Sequence, residues 1–164
     1  MDELDADAQQ RRETFARYGL AMYHAQCVEK SLAILVSSVF NKEFLPSPPD
    51  QRGEIQNGIF SKTIGRLSKR LEKQITIPPN LGKTLENALQ KRNWLAHDYF
   101  WERAGELLTN RGREKMITEL TDLSDLFSKL DVHLEKIYSD WSHKIGLSEK
   151  IIEEQMKHLI KKHE

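Results

Sequence analysis

From about Arg113 to His143, apolar residues return at alternating steps of three and four: Met116, Leu120, Leu123, Phe127, Leu130, Leu134, Ile137 and Trp141. A helix of about 3.6 residues per turn lays such a series along one face. The pattern therefore predicts one long amphipathic helix whose stripe is buried against a core. No polar residue interrupts the stripe, which marks this helix as scaffold. His133 and His143 fall off it and are expected at the surface.

A second long helix is predicted from about Ala8 to about Asn41, with residues 1–8 frayed. Phe15, Tyr18, Met22, Ala25, Leu32, Val36 and Val39 keep the same spacing, and Glu29 fills the remaining place. Burying a carboxylate without a partner is strongly unfavourable. Glu29 must either lie at the edge of the stripe and reach water or meet a cation, and Arg92 is the first candidate.

Between these two helices the chain is punctuated. Pro46, Pro48 and Pro49 exclude regular helix, and Asn57-Gly58 is a turn signal, so residues 42–58 read as a long connection. A helix from about Phe60 to Gln74 follows. Phe60, Ile64, Leu67 and Leu71 form its apolar side, and Lys62, Arg66, Lys69, Arg70 and Lys73 lie largely on another face. Ile77-Pro78-Pro79 stops the chain, and Asn80 is placed to cap a helix that starts near Leu81 and runs past Tyr99 to Phe100 and Trp101. Gly105 and Thr109-Asn110-Arg111-Gly112 mark the turn after it. Beyond Gly146, Ser148 and Glu149 open a short C-terminal helix, with Ile151, Ile152, Met156, Leu159 and Ile160 opposite Lys157, Lys161 and Lys162. The expected fold is all-α: an elongated up-and-down bundle of four long helices plus a short C-terminal helix, forming one domain over residues 1–164.

Charge narrows the function classes. Lys and Arg together number 25, as do Asp and Glu, so no global positive field draws the chain onto nucleic acid. The excess is local: from Arg52 to Arg92 nine basic residues face three acidic ones, a net of +6. Such a run is either a polyanion footprint or a solvated helix face. The single cysteine, Cys27, excludes an intramolecular disulfide and a cysteine-based zinc site. The histidines are dispersed, with no metal-ligand spacing, so neither a metal nor another cofactor is expected. No stretch approaches the roughly 20 apolar residues that span a bilayer, and a soluble cytoplasmic protein with no membrane partner is expected.

Polar chemistry concentrates in Lys91-Arg92-Asn93-Trp94-Leu95-Ala96-His97-Asp98-Tyr99. At helical spacing Asn93 and His97 share a face, while Arg92 falls on the stripe of Leu85, Ala88, Leu95 and Tyr99. A fixed cation, a neutral donor and an imidazole are the groups that metal-free phosphodiester cleavage uses, provided a partner surface closes over them. The same residues also fit a buried ion-pair cluster that only holds helices together. Trp94 is expected to pack rather than stack on a base.

Arg92-Asn93-Trp94-Leu95-Ala96-His97 resembles the Arg-x4-6-His signature of HEPN domains. With Asp98 and Tyr99 it extends to Arg-x4-His-x-Tyr, the variant of HEPN toxins paired with a nucleotidyltransferase antitoxin. The resemblance spans about ten residues; the remainder of the chain agrees in architecture. It implies a homodimer in which two motif helices form a composite cleft, and a metal-independent RNA endonuclease serving as a toxin or in phage defence. Arg92, Asn93 and His97 would be catalytic, with Glu29, Asp98 and Tyr99 supporting. Lys62, Arg66, Lys69, Arg70, Lys73 and Lys91 are the candidate RNA-binding residues. Tyr99 matches the tyrosine that the antitoxin modifies. The alternative is a non-catalytic bundle of the same kind, serving dimerisation, nucleotide binding or protein interaction. A scaffold recruiting a partner through the C-terminal helix is the third reading.

Overall fold

The computed structural model describes residues 3–40 and 80–144, together with Lys157 and Lys161. Three long helices, α1 (Glu3–Phe40), α2 (Leu81–His97) and α5 (Asn110–Lys144), enclose the core, and two single turns, α3 (Tyr99–Glu102) and α4 (Ala104–Leu107), join the last two. No strand occurs among the described residues. The all-α expectation holds there. The connection at 42–58, the helix at 60–74 and the C-terminal helix from Ser148 lie outside the described residues, apart from Lys157 and Lys161, which are helical and exposed.

The stripe of α5 is buried from Met116 through Ile137, and Trp141 packs against its end. Helix α1 answers with Thr14, Ala21, Ala25, Val28, Leu32 and Leu35. This line is turned by about one residue from the expected one: Phe15 is 51 % exposed and Met22 is only partly buried. The aromatic residues are drawn elsewhere. The rings of Phe15 and Tyr18 lie 5.5 and 4.6 Å from that of Phe100, leaving small Ala21 and Ala25 to face the core. Both buried lines alternate steps of three and four, the pattern of helices packed at a shallow angle. The side chains of Val36 and Val39 lie outside the described set.

Chain direction follows from the cross-links. Gln10 near the start of α1 meets Arg113 near the start of α5, and Ser31 meets Asp131 further along both. Helices α1 and α5 are therefore parallel. Helix α2 runs against α1, since Glu29 meets Arg92 while Tyr18 meets Leu95. Strict alternation of four helices would set the first and last antiparallel, so the described helices depart from that expected order and run up, down, up.

The ends of the elements also differ from the periodicity. Helix α1 starts at Glu3 rather than Ala8, with Asp7 bound to Arg113. Asn80 precedes α2 in the left-handed region at φ 69°, and its side chain makes no cap. Its carbonyl oxygen instead accepts from the Thr84 amide at 3.0 Å and the Thr84 hydroxyl at 3.2 Å. Helix α2 breaks after His97, at Asp98 (φ −121°), instead of continuing through Trp101. In its last turn, where helix carbonyls lack intrahelical partners, the Tyr18 hydroxyl donates to the Leu95 oxygen at 3.1 Å. Beyond the break Tyr99 enters the core while Trp101 stays 85 % exposed.

The predicted turn at 109–112 is instead the capped start of α5. The Thr109 hydroxyl accepts from the Gly112 amide at 3.1 Å, as a Ser/Thr N-cap does. Gly112 is buried, and a Cβ there would come within 2.2 Å of the Glu106 carbonyl oxygen. Because that contact is with backbone, the α4 turn must shift to admit a methyl group. Gly112→Ala should cost about 1–3 kcal/mol by overpacking, read as a lower urea midpoint. An unchanged midpoint would mean that the turn yields freely.

Arg113, the next residue, is wholly buried. Its guanidinium donates to Gln10 Oε1 and to the Leu107 carbonyl oxygen, both at 2.8 Å, and also to Asp7 and Asn110. One side chain thereby ties the start of α1 to the α4–α5 turn.

Candidate active site

The end of α2 carries the motif. Arg92 is half-buried and directed at α1, with its Nε 2.6 Å from Glu29 Oε1. The N–H is not aligned for a hydrogen bond, so the contact is an ion pair set by distance. The pair sits at the edge of the α1 stripe: Glu29 has both the cation and the partial exposure considered for it. On its other side Arg92 Nη1 donates to Asn93 Oδ1 at 3.0 Å. Arg92, Glu29 and Asn93 thus form one connected polar group.

His97 stands apart from them. It is exposed and makes no hydrogen bond or ion pair with the described residues. Five residues of helix turn through about 500°, so Arg92 and His97 project roughly 140° apart. Asn93 and His97 are exposed one above the other, as their i,i+4 spacing requires. The chain therefore presents an outward imidazole and amide, and holds its guanidinium partly inward.

Asp98 is exposed at the helix break. Tyr99 is buried, its ring in contact with those of Tyr18, Trp94 and Phe100. Among the described residues its hydroxyl has no hydrogen-bond partner within bonding geometry. Burial pushes the phenol well above its ordinary range, and the nearby Glu119 carboxylate adds to the effect. Tyr99 is therefore a protonated core residue in this conformation.

Arg103, which the sequence did not single out, organises the neighbourhood. It holds Glu119 with two hydrogen bonds, at 3.0 and 2.8 Å, and its guanidinium lies over the Trp94 ring at 5.2 Å. The Glu119 bonds hold its charge still more firmly than usual. The Trp94 indole N–H donates to Glu102 Oε2 at 2.8 Å. Trp94 does pack, as expected, but the rest of its surface lines a groove of about 730 Å³ between α2 and α5. Lys91 lies in that groove, away from His97. The other candidate RNA-binding residues, Lys62, Arg66, Lys69, Arg70 and Lys73, lie outside the described residues.

Cys27 is a free, partly buried thiol. Among the described residues no group of three or more His, Cys, Asp or Glu is placed to hold a metal ion. No described helix is long and apolar enough to cross a membrane. Comparisons of the chain with protein-family models, with curated proteins and with solved structures each returned no match.

Proposed function

We propose that the protein is a HEPN-like, metal-independent RNA endonuclease whose site is completed by a second copy of the chain. The observation that carries this reading is the exposed His97, which has no partner among the described residues and lies one turn from Asn93. An imidazole with no structural duty on a polar helix end is available for proton transfer. Because Arg92 and His97 diverge around α2, a second protomer is needed to close a cleft over one phosphate. Exposed Trp101 and the half-exposed Phe15 give that copy an apolar border to cover.

In the reaction His97 takes the proton of the ribose 2′-hydroxyl or protonates the departing oxygen. The 2′-oxygen bonds to phosphorus and the bond to the 5′-oxygen breaks, leaving a 2′,3′-cyclic phosphate and a 5′-hydroxyl. Arg92 neutralises the charge that builds on the phosphoryl oxygens, and Asn93 donates to the phosphate or orients the imidazole. A toxin or phage-defence role would follow from the same resemblance. For a nucleotidyltransferase partner to modify Tyr99, the ring must first leave its cluster with Tyr18, Trp94 and Phe100.

A second reading has its own support. The Arg92–Glu29 pair already occupies the guanidinium, as it would in a non-catalytic bundle used for dimerisation, nucleotide binding or protein interaction. Incubation of the protein with RNA in EDTA separates the two. Cleavage that leaves 2′,3′-cyclic phosphate ends, by a protein of dimer mass, is expected. Cleavage lost on chelation, or no cleavage by a protein of monomer mass, would overturn the reading.

A further inference from the structure

The break at Asp98 interrupts the helix without changing its phase. The buried line of α2 is Leu81, Leu85, Ala88 and Leu95, with Arg92 half-buried between the last two, and Tyr99 of α3 follows Leu95 at the next step of four. Ordinary helical bonds bracket the break, from the Asp98 amide to the Trp94 oxygen and from the Glu102 amide to the Asp98 oxygen, both at 2.9 Å. The outward line keeps its phase as well: Asn93, His97 and Trp101 are exposed at successive steps of four. Trp101 thus stands one turn beyond the imidazole, about 6 Å along the axis.

Trp101 is the most exposed large apolar side chain among the described residues, at 85 %. At that exposure neither face of the indole is covered. His97 and Asp98 precede it by a turn and Ala104 and Gly105 follow it in the chain, all of them exposed. Nothing lies within 4 Å of the place a Cβ on Gly105 would take. A single indole among polar and small residues lacks the contiguous apolar surroundings of an interface core, so it belongs to the rim of any contact with a second copy. A bare aromatic face at a rim is a surface on which a flat group can stack.

We propose that Trp101 is the base-stacking residue of the site: its ring receives an unpaired base next to the phosphate on which His97 and Arg92 act. The base is named as the occupant from the ribonuclease reading, on which the proposal rests. The step of one helical turn from imidazole to indole corresponds to the reach of a nucleotide from phosphate to base. An aromatic face accepts every base, so Trp101 adds affinity without selecting a sequence. A base held in a duplex is stacked on its neighbours and does not reach the ring.

The test uses the full chain and a short single-stranded 2′-O-methyl oligoribonucleotide, which has no 2′-hydroxyl and cannot be cleaved. Binding is thereby read whether or not the protein cleaves RNA. Trp101→Ala should raise Kd at least about fivefold by anisotropy of the labelled strand, and Trp101→Phe should recover most of that loss. The wild-type complex should also quench tryptophan fluorescence, and Trp101→Phe should bind while losing most of that quenching. Light scattering gives the mass of each variant. Weaker binding at wild-type mass supports the stacking, whereas affinity and mass lost together would assign Trp101 to the contact between copies and overturn it. An unchanged Kd in Trp101→Ala also overturns it, and cleavage of unmodified RNA would then leave the ribonuclease reading standing. Binding that depends on Trp101, by a protein that cleaves no RNA, supports the stacking and removes the ribonuclease reading. A wild-type protein that does not bind the strand overturns the proposal.

Discussion

Replacing His97 with alanine should slow RNA cleavage by about 10²- to 10⁴-fold, the usual contribution of a positioned acid or base. The fold should be unaffected, because the imidazole is exposed and makes no hydrogen bond or ion pair with the described residues. Exposed substitutions of this kind change stability within about 0.5 kcal/mol. The variant should therefore unfold at the wild-type midpoint, retain its oligomeric mass and bind RNA, while releasing few cyclic-phosphate ends. Cleavage within severalfold of wild type would remove His97 from the chemistry. Arg92→Ala is a poorer probe, because it also leaves the half-buried Glu29 without its cation.

Arg113→Ala should be the most destabilising single change among the described residues. Arg113 is wholly buried, and its truncation leaves a cavity, orphans the Leu107 carbonyl oxygen and frees the start of α1. Losing one partner of a buried charged network typically costs about 3–5 kcal/mol, on the order of 10 °C in melting temperature for a chain of this length. A shift of only 1–2 °C by calorimetry would show that α1 docks without this link. The network also has an acid limit. The Arg11 hydrogen bond holds the Asp7 carboxyl below the usual carboxylate range; desolvation opposes it, and the charges of Arg11 and Arg113 reinforce it. A depressed folded-state value means that the carboxylate's contribution is complete above about pH 5 and fades as pH falls through that value. Wild type and Asp7→Asn should therefore differ at neutral pH and converge in acid.

The α5 stripe was legible because nothing interrupts it. The α1 stripe was legible as a helix but misplaced by about one residue. Periodicity reports which positions are apolar, whereas the choice of core line lay with Ala21 and Ala25, whose smallness admits a neighbouring helix. Glu29 and Arg92 could be paired from sequence because each was a charge on an apolar line. Arg113 had the same signal, three residues before Met116, but two of its partners, Asp7 and Gln10, lie more than a hundred residues away, and Asp7 falls in the segment expected to fray. The break after His97 was hidden: Asp98 is no helix terminator, and the turn is set by where Tyr18, Tyr99 and Phe100 find room. Arg103 was equally invisible, since its role depends on Glu119 and Trp94 meeting across two elements.

The parallel pairing of α1 with α5 has a kinetic consequence. Their contacts, such as Ser31 with Asp131, join residues 100 positions apart, whereas α2 and α5 meet across a short hairpin. Local contacts form fast, and distant ones must first pay the entropy of closing a long loop. The α2–α5 hairpin should assemble early and α1 should dock in the rate-limiting step. Mutations in the Asp7–Gln10–Arg113 cluster should then act mainly on the unfolding rate.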